Sequence, residues 1–391
     1  MDPLLNPFRP GAGTPPPILA GRQAELDAVA NLLGRLAAGR GERSIVLTGL
    51  RGVGKTALLW AAEDSAEKQG WLSQSIEARA EIDFPAALAE RSWVILRQLE
   101  HRGVVRKALT PLAAAIRRVR VREPASGLEV SIDLEGAEPS EAALEADVVE
   151  LFRTLGTTAR EGDTGVLFLL DELQLAEPSA LEALCAAMQD VGRRELPLAV
   201  VAAGLPPLRG QLLAAKTYAE RLFGYRELGS LTEEAATAAL VEPARSVDPG
   251  LELDPAARDL LLAECQGYPY FIQVYGHAAW QVASGPVLDV DEAERAVALG
   301  RRELESDLYA GRWERASERG RSYMREMARL GDGPVSSGEV AAALGGHSAV
   351  GPTRERLIDE GLVFSPARGR VAFTVPGFAN YIRQIPPSAS S

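Results

Sequence analysis

Ile45-Val-Leu-Thr-Gly-Leu-Arg-Gly-Val-Gly-Lys-Thr56 is an apolar strand that runs straight into the pattern Gly-x-x-x-x-Gly-Lys-Thr. That order predicts a loop that cradles phosphate. Glycine at 49, 52 and 54 lets the backbone wrap closely round a polyphosphate, because a Cβ would block the approach and the required dihedrals are open mainly to glycine. Amides from Val53 to Ala57, where the next helix starts, point at the anion. Lys55 supplies a point charge for the β and γ phosphates, and the Thr56 hydroxyl is placed to ligate Mg²⁺.

Working outward, Gly165-Val-Leu-Phe-Leu-Leu-Asp-Glu172 is a run of small and apolar residues that ends in two acids. Such a run suits a strand buried on both faces of a parallel sheet, where alternation disappears. Its acids emerge at the carboxyl end, where open α/β sheets place their ligands. Asp171 is expected to hold the Mg²⁺ water shell and Glu172 to polarise an attacking water. Trp71–Ala78 reads as another strand, as do Leu196–Leu205, which runs into Pro206-Pro207, and Tyr225–Leu231. Strands alternating with helices mean an α/β fold, a parallel sheet with helices on both faces.

The expected organisation follows. Residues 1–17 are Pro- and Gly-rich and read as an extended arm. The nucleotide-binding core spans 18–231, with 79–140 as an insertion. Within the insertion lie helices over 84–122 that end in the basic run Ile116–Arg122, then a hairpin-like strand, Leu128–Leu134. The basic run reads as a solvated face or as a partner for the acids of 133–147. Residues 232–310 form an all-helical lid: 232–242 behind a capping box Ser230-Leu-Thr-Glu233, 255–266 with Asp254 as cap and Pro255 at its first position, 269–283 and 289–309. Residues 311–385 fit a winged helix. Its helices are Arg321–Leu330, Ser336–Leu344 and Gly351–Glu360, closed by Gly361, and its wing pairs 362–365 with 370–375. Residues 386–391 read as a disordered tail.

A chain of 391 residues exceeds what one core organises, and 46% hydrophobic content indicates a folded protein. No apolar run of membrane-spanning length and no signal-peptide layout occur, so the cytoplasm is the expected location. Two cysteines and three histidines supply no zinc cluster of familiar spacing. The net charge of −12 opposes nonspecific binding to nucleic acid or anionic membrane. Residues 312–391, with eleven arginines against eight acids, are the exception, so any DNA contact is confined to that end.

Taken together, these residues resemble the initiator and STAND branch of the AAA+ ATPases, relatives of archaeal origin-recognition ATPases and of bacterial signalling ATPases. The resemblance covers roughly residues 18–385. It rests on Gly21-Arg22 with Glu25, both Walker motifs, Ala203-Gly-Leu-Pro206, Ala219-Glu-Arg-Leu-Phe223, Gly267-Tyr-Pro269 and the terminal winged helix. It implies ATP or ADP with Mg²⁺ as cofactors. Leu19 to Arg22 would lie by the adenine, Arg221 would reach the γ-phosphate, of a neighbouring subunit in an oligomer, and Pro269 would touch the base or ribose. Two departures matter. Ala202 to Gly204 carry no polar first-sensor side chain, and the lid has Tyr-Pro where an arginine usually stands. Both absences remove groups that stabilise the γ-phosphate, which points to slow hydrolysis.

The leading expectation is an ATP-binding, slowly hydrolysing switch that couples nucleotide state to a winged-helix output. One alternative is an ATP-regulated initiator or transcription regulator that binds double-stranded DNA through Arg354 and Arg356 on the third helix and Arg368 and Arg370 on the wing. Another is a nucleotide-binding scaffold that acts through protein partners without turnover. Glu355, Asp359 and Glu360 leave the third helix nearly neutral, which equally suits packing against protein.

Overall fold

The computed structural model describes residues 1–11, 13–79, 82–101 and 141–386. The expected basic run, the Leu128–Leu134 strand and most of the tail lie outside the described residues. The chain divides into two compact units, one of Met1–Gln23, Gly49–Ala57 and Leu228–Ser391, the other of Ala24–Thr48 and Leu58–Glu227.

The second unit is built on five strands: β1 (Ser44–Gly49), β2 (Leu72–Glu77), β3 (Val166–Asp171), β4 (Leu198–Gly204) and β5 (Phe223–Leu228), in the order β2-β3-β4-β1-β5. β1 pairs with β4, β4 with β3 and β3 with β2, all parallel. Every residue of β1 and β4 is buried, which accounts for their unbroken apolar sequences. β3 is buried up to Asp171, which emerges half-buried at the carboxyl edge. Around the sheet run α1 (Gln23–Ala37), α2 (Lys55–Lys68), α3 (Phe84–His101), α4 (Glu141–Glu161), α5 (Pro178–Arg193), α6 (Pro207–Ala215) and the short α7 (Ala219–Leu222). Phe152 of α4 stacks on Phe168 of β3 at 5.3 Å between ring centres.

The first unit contains the helical segment: α8 (Glu233–Arg245), α9 (Pro255–Cys265), α10 (Pro269–Val282) and α11 (Val290–Glu303). The caps follow the sequence, with one shift. The Asp254 side chain accepts from the Ala256 amide, but Thr232, not Ser230, caps α8 by accepting from the Ala235 amide. Two-residue strands β6 (Glu252–Leu253) and β7 (Val287–Leu288) pair in parallel. The last lid helix does not run unbroken to 309. It widens into a π-helical stretch, Leu304–Ala310, and resumes as α12 (Gly311–Arg315). The N-terminal arm holds one 3-10 turn, Pro3–Leu5, and is anchored on α10: Trp280 Nε1 donates to the Asp2 carbonyl at 2.8 Å, and Phe8 is buried where Gly276 leaves room for its ring.

The C-terminal segment has α13 (Glu318–Leu330), β8 (Val335–Ser336), α14 (Ser337–Ala343), α15 (His347–Asp359), β9 (Val363–Phe364), β10 (Arg370–Phe373) and α16 (Phe378–Gln384). The strands form an antiparallel sheet in the order β8-β10-β9. The expected Ser336 cap is present, its hydroxyl accepting from the Glu339 amide. α15 starts before the expected Gly351, and β8 and α16 were not foreseen. α16 is held by Phe378 stacked on Tyr309, whose hydroxyl donates to the Pro376 carbonyl. Among the described residues no helix is long and apolar enough to cross a membrane.

Helices α4 and α5 are clamped by one carboxylate. Asp190, 7% exposed, accepts from Arg153 Nε, Arg193 Nη2 and Arg194 Nε at 2.8–2.9 Å. Burial alone would raise its pKa, but the three guanidinium bonds outweigh that and bring it down to about 2. A depressed native pKa contributes stability above the unfolded value near 4, and that contribution is lost as the pH falls toward 2. Asp190→Asn is expected to lower the unfolding free energy at neutral pH by about 2 kcal/mol. The deficit should shrink in acid denaturation series as the pH drops through 4 to 2; a pH-independent deficit would show that packing, not charge, is at stake.

Candidate functional site

In the first unit the phosphate loop is shaped by two kinds of glycine. Gly52 and Gly54 adopt φ +83° and +93°, which side chains rarely tolerate. Gly49 is needed for space instead, since a Cβ there would lie 2.4 Å from the Leu228 carbonyl oxygen. Lys55 is buried, and its Nζ donates to the Gly49 and Leu50 carbonyls at 2.9 and 2.8 Å, so the ammonium is drawn back over the loop. Val53 is buried, Ala57 is half-buried and Thr56 is exposed at the start of α2. Arg22 reaches the loop from the arm side, donating to the Val53 carbonyl at 3.1 Å and the Gly229 carbonyl at 2.6 Å. It therefore braces the phosphate loop.

The lid lies on the same loop. The Tyr270 amide donates to the Gly52 carbonyl at 3.1 Å, and a Cβ on Gly52 would meet Tyr270 Cβ at 2.9 Å and the Tyr268 ring at 3.1 Å. Pro269 is the first residue of α10. Gly267 before it has φ +65° and backs onto Leu231, whose amide donates to the Gly267 carbonyl. Tyr268 is 3% exposed, and its hydroxyl has no hydrogen-bond partner among the described residues. An orphaned buried hydroxyl costs roughly 1–3 kcal/mol, and a ligand between loop and lid would relieve it. Glycines with open dihedrals, a buried ammonium and an unsatisfied donor fit a nucleotide polyphosphate.

In the second unit Asp171 ends β3 and Glu172 follows it. Glu172 sits at φ 50°, ψ 32°, a left-handed conformation uncommon for a non-glycine residue. Such strain persists where the surroundings over-determine it. Here the Glu172 amide donates to Asp171 Oδ1, while Gln174 Nε2 donates to Glu172 Oε2. Gln174 Oε1 accepts from the Leu205 amide at 2.9 Å and fills the space that a Cβ on Gly204 would need. The polar group that the sequence of β4 lacks is thus delivered from the turn after β3. The signal was the side-chain-free Gly204 beside a glutamine two residues beyond Glu172.

Arg221 is exposed on α7, immediately before β5. It lines a cleft with Ser44 and Leu198, at the amino edge of the sheet, and so is not brought together with Asp171.

These features define a P-loop nucleotide-binding protein with the carboxylate strand separated from the loop strand by β4. Residues 18–201 match the family model described as AAA ATPase domain. Residues 306–382 match a family described as a domain of unknown function, DUF8462. No curated protein matches the chain. Solved structures similar to it include the Orc1 protein of Aeropyrum pernix in complex with DNA, at 20% identity over 94% of each chain with TM-score 0.48. The Holliday junction branch migration motor RuvB of Thermotoga maritima is similar at 15% identity over 93% of this chain and 96% of that one, TM-score 0.44. Cdc6p from Pyrobaculum aerophilum is similar at 13% identity over 98% and 97%, TM-score 0.43.

Arg354 is half-buried and donates to Ser365 Oγ, and the exposed Arg356 is paired with Glu360 at 2.8 Å. Arg368 and Arg370 are exposed at the hairpin between β9 and β10, with Arg370 Nη1 donating to the Pro334 carbonyl at 3.3 Å.

Replacing Gln174 by Leu leaves the Leu205 amide without its acceptor and Glu172 without this donor. Urea denaturation should show a loss of about 1–2 kcal/mol, and unchanged stability would mean that the Gln174 bridge is idle.

Proposed function

We propose that the chain is an ATP-binding, slowly hydrolysing molecular switch whose nucleotide state is passed through the lid to the C-terminal segment. The observation that carries this reading is the contact of Tyr268 and Tyr270 with Gly52, which puts the lid directly on the phosphate loop within one compact unit. A ligand that fills the loop acts on the lid at once. Lys55 leaves the Gly49 and Leu50 carbonyls to meet the β and γ phosphates, and the amides from Gly52 to Ala57 surround them. Thr56 and Asp171 would hold Mg²⁺, whose chemistry is to neutralise charge on the phosphates. Glu172, fixed in direction by Gln174, accepts the proton of an attacking water. Pro269, at the start of α10, would face the base or ribose, and Arg221 would complete the site of a neighbouring copy in a nucleotide-dependent oligomer. Slow turnover follows from the absence of an arginine beside Pro269.

A second reading, ATP-regulated binding of double-stranded DNA, is favoured by one observation: Arg368 and Arg370 project from the exposed hairpin of what we read as a winged helix. It is weakened by Arg354, Arg356 and Arg370, each of which the protein itself engages. Salt-sensitive duplex binding that falls with Arg368→Ala plus Arg370→Ala would support it. A scaffold without turnover would release phosphate no faster than Glu172→Gln.

By calorimetry, Lys55→Ala is expected to abolish ATP binding, whereas Glu172→Gln should retain it and block phosphate release. Equal ATP affinity for the unsubstituted chain and Lys55→Ala would overturn the switch.

A further inference from the structure

Where α16 meets the helical segment, within the first unit, the chain leaves a cleft of about 520 Å³, a volume in the range of small-molecule sites. None of its lining belongs to the phosphate loop. Four aromatic rings line it: Phe271 and Tyr275 from α10, Tyr309 from the π-helical stretch and Tyr381 from α16. Tyr309 and Tyr381 lie 5.4 Å apart between ring centres, tilted by 34°. Two glycines make room for this arrangement. A Cβ on Gly300 would come within 2.5 Å of the Tyr275 ring, and one on Gly377, at φ +76°, within 2.5 Å of the Tyr309 hydroxyl. Charge around the cleft is uneven. Arg301 donates twice to Glu264, at 3.1 and 2.7 Å, and Arg383 is paired with Asp332, so both guanidinium groups are already neutralised. Glu305 is left over: half-buried on the π-helical stretch, its carboxylate accepts no hydrogen bond and forms no ion pair among the described residues. π-helical turns are rare and concentrate at functional sites, and this one supplies both the unpaired acid and one of the rings. Electron-rich ring faces beside an uncompensated carboxylate attract a cation that carries an apolar body.

We propose that this cleft binds a small organic cation, an ammonium group on an aromatic body, as a ligand separate from the nucleotide. The ammonium pairs with Glu305 and rests against Tyr309 and Tyr381, while the aromatic body packs on Phe271 and Tyr275. An inorganic cation would leave the apolar ring surface wet, and an anion would meet Glu305 with both arginines already occupied. Because α10 and the π-helical stretch wall the cleft on one side and α16 on the other, its occupant ties the helical segment to the C-terminal segment. The chain thereby gains an input that no phosphate provides.

The test is calorimetry on the full chain, without nucleotide, using three indoles that share a ring and differ in charge: tryptamine as the ammonium, tryptophol as the neutral alcohol and indole-3-acetate as the anion. Tryptamine should bind saturably and about tenfold tighter than tryptophol, and indole-3-acetate should not bind measurably. Glu305→Gln keeps the side-chain shape and should weaken tryptamine about tenfold while leaving tryptophol unchanged. Tyr381→Ala should weaken both, whereas Tyr381→Phe, which keeps the ring, should retain both. Melting temperatures report that each variant is folded. Lack of saturable tryptamine binding at millimolar concentration, equal affinity for the three probes, or a tryptamine affinity untouched by Glu305→Gln overturns the assignment. Because no nucleotide is present, such a failure leaves the nucleotide-binding reading standing.

Discussion

The hydrogen bond from the Tyr270 amide to the Gly52 carbonyl is the contact on which the first unit turns. It requires a residue whose carbonyl faces the lid while its own side leaves room for Tyr268 and Tyr270, and only glycine at φ +83° meets both conditions. The same residue lies within the phosphate loop. One backbone unit therefore serves two masters, the anion on one side and the lid on the other. A change in loop geometry cannot be absorbed locally, because Arg22 holds the carbonyl of the next residue, Val53, and Lys55 holds those of Gly49 and Leu50 before it. Motion passes to α10 and to the helices packed on it.

The loop and the carboxylates were legible in the sequence because their chemistry is local. Glycine spacing followed by lysine and threonine is a covalent pattern, and an apolar strand ending in two acids fixes its own exit point. Helix caps such as Asp254 and Ser336 were legible for the same reason, since donor and acceptor are two or three residues apart. Gln174 was not. It gains its meaning from Leu205 and Gly204, which reach it only through the pairing of β3 with β4.

Charge patterning is less local. Arg354, Arg356, Arg368 and Arg370 look alike as a basic cluster, but three of them donate within the protein, to Ser365, Glu360 and the Pro334 carbonyl. Only the environment of each side chain, set by the β9–β10 hairpin and the α15 register, decides which are engaged. Arg22 is a further case: the sequence shows its motif, but only the fold shows that it holds the Val53 and Gly229 carbonyls.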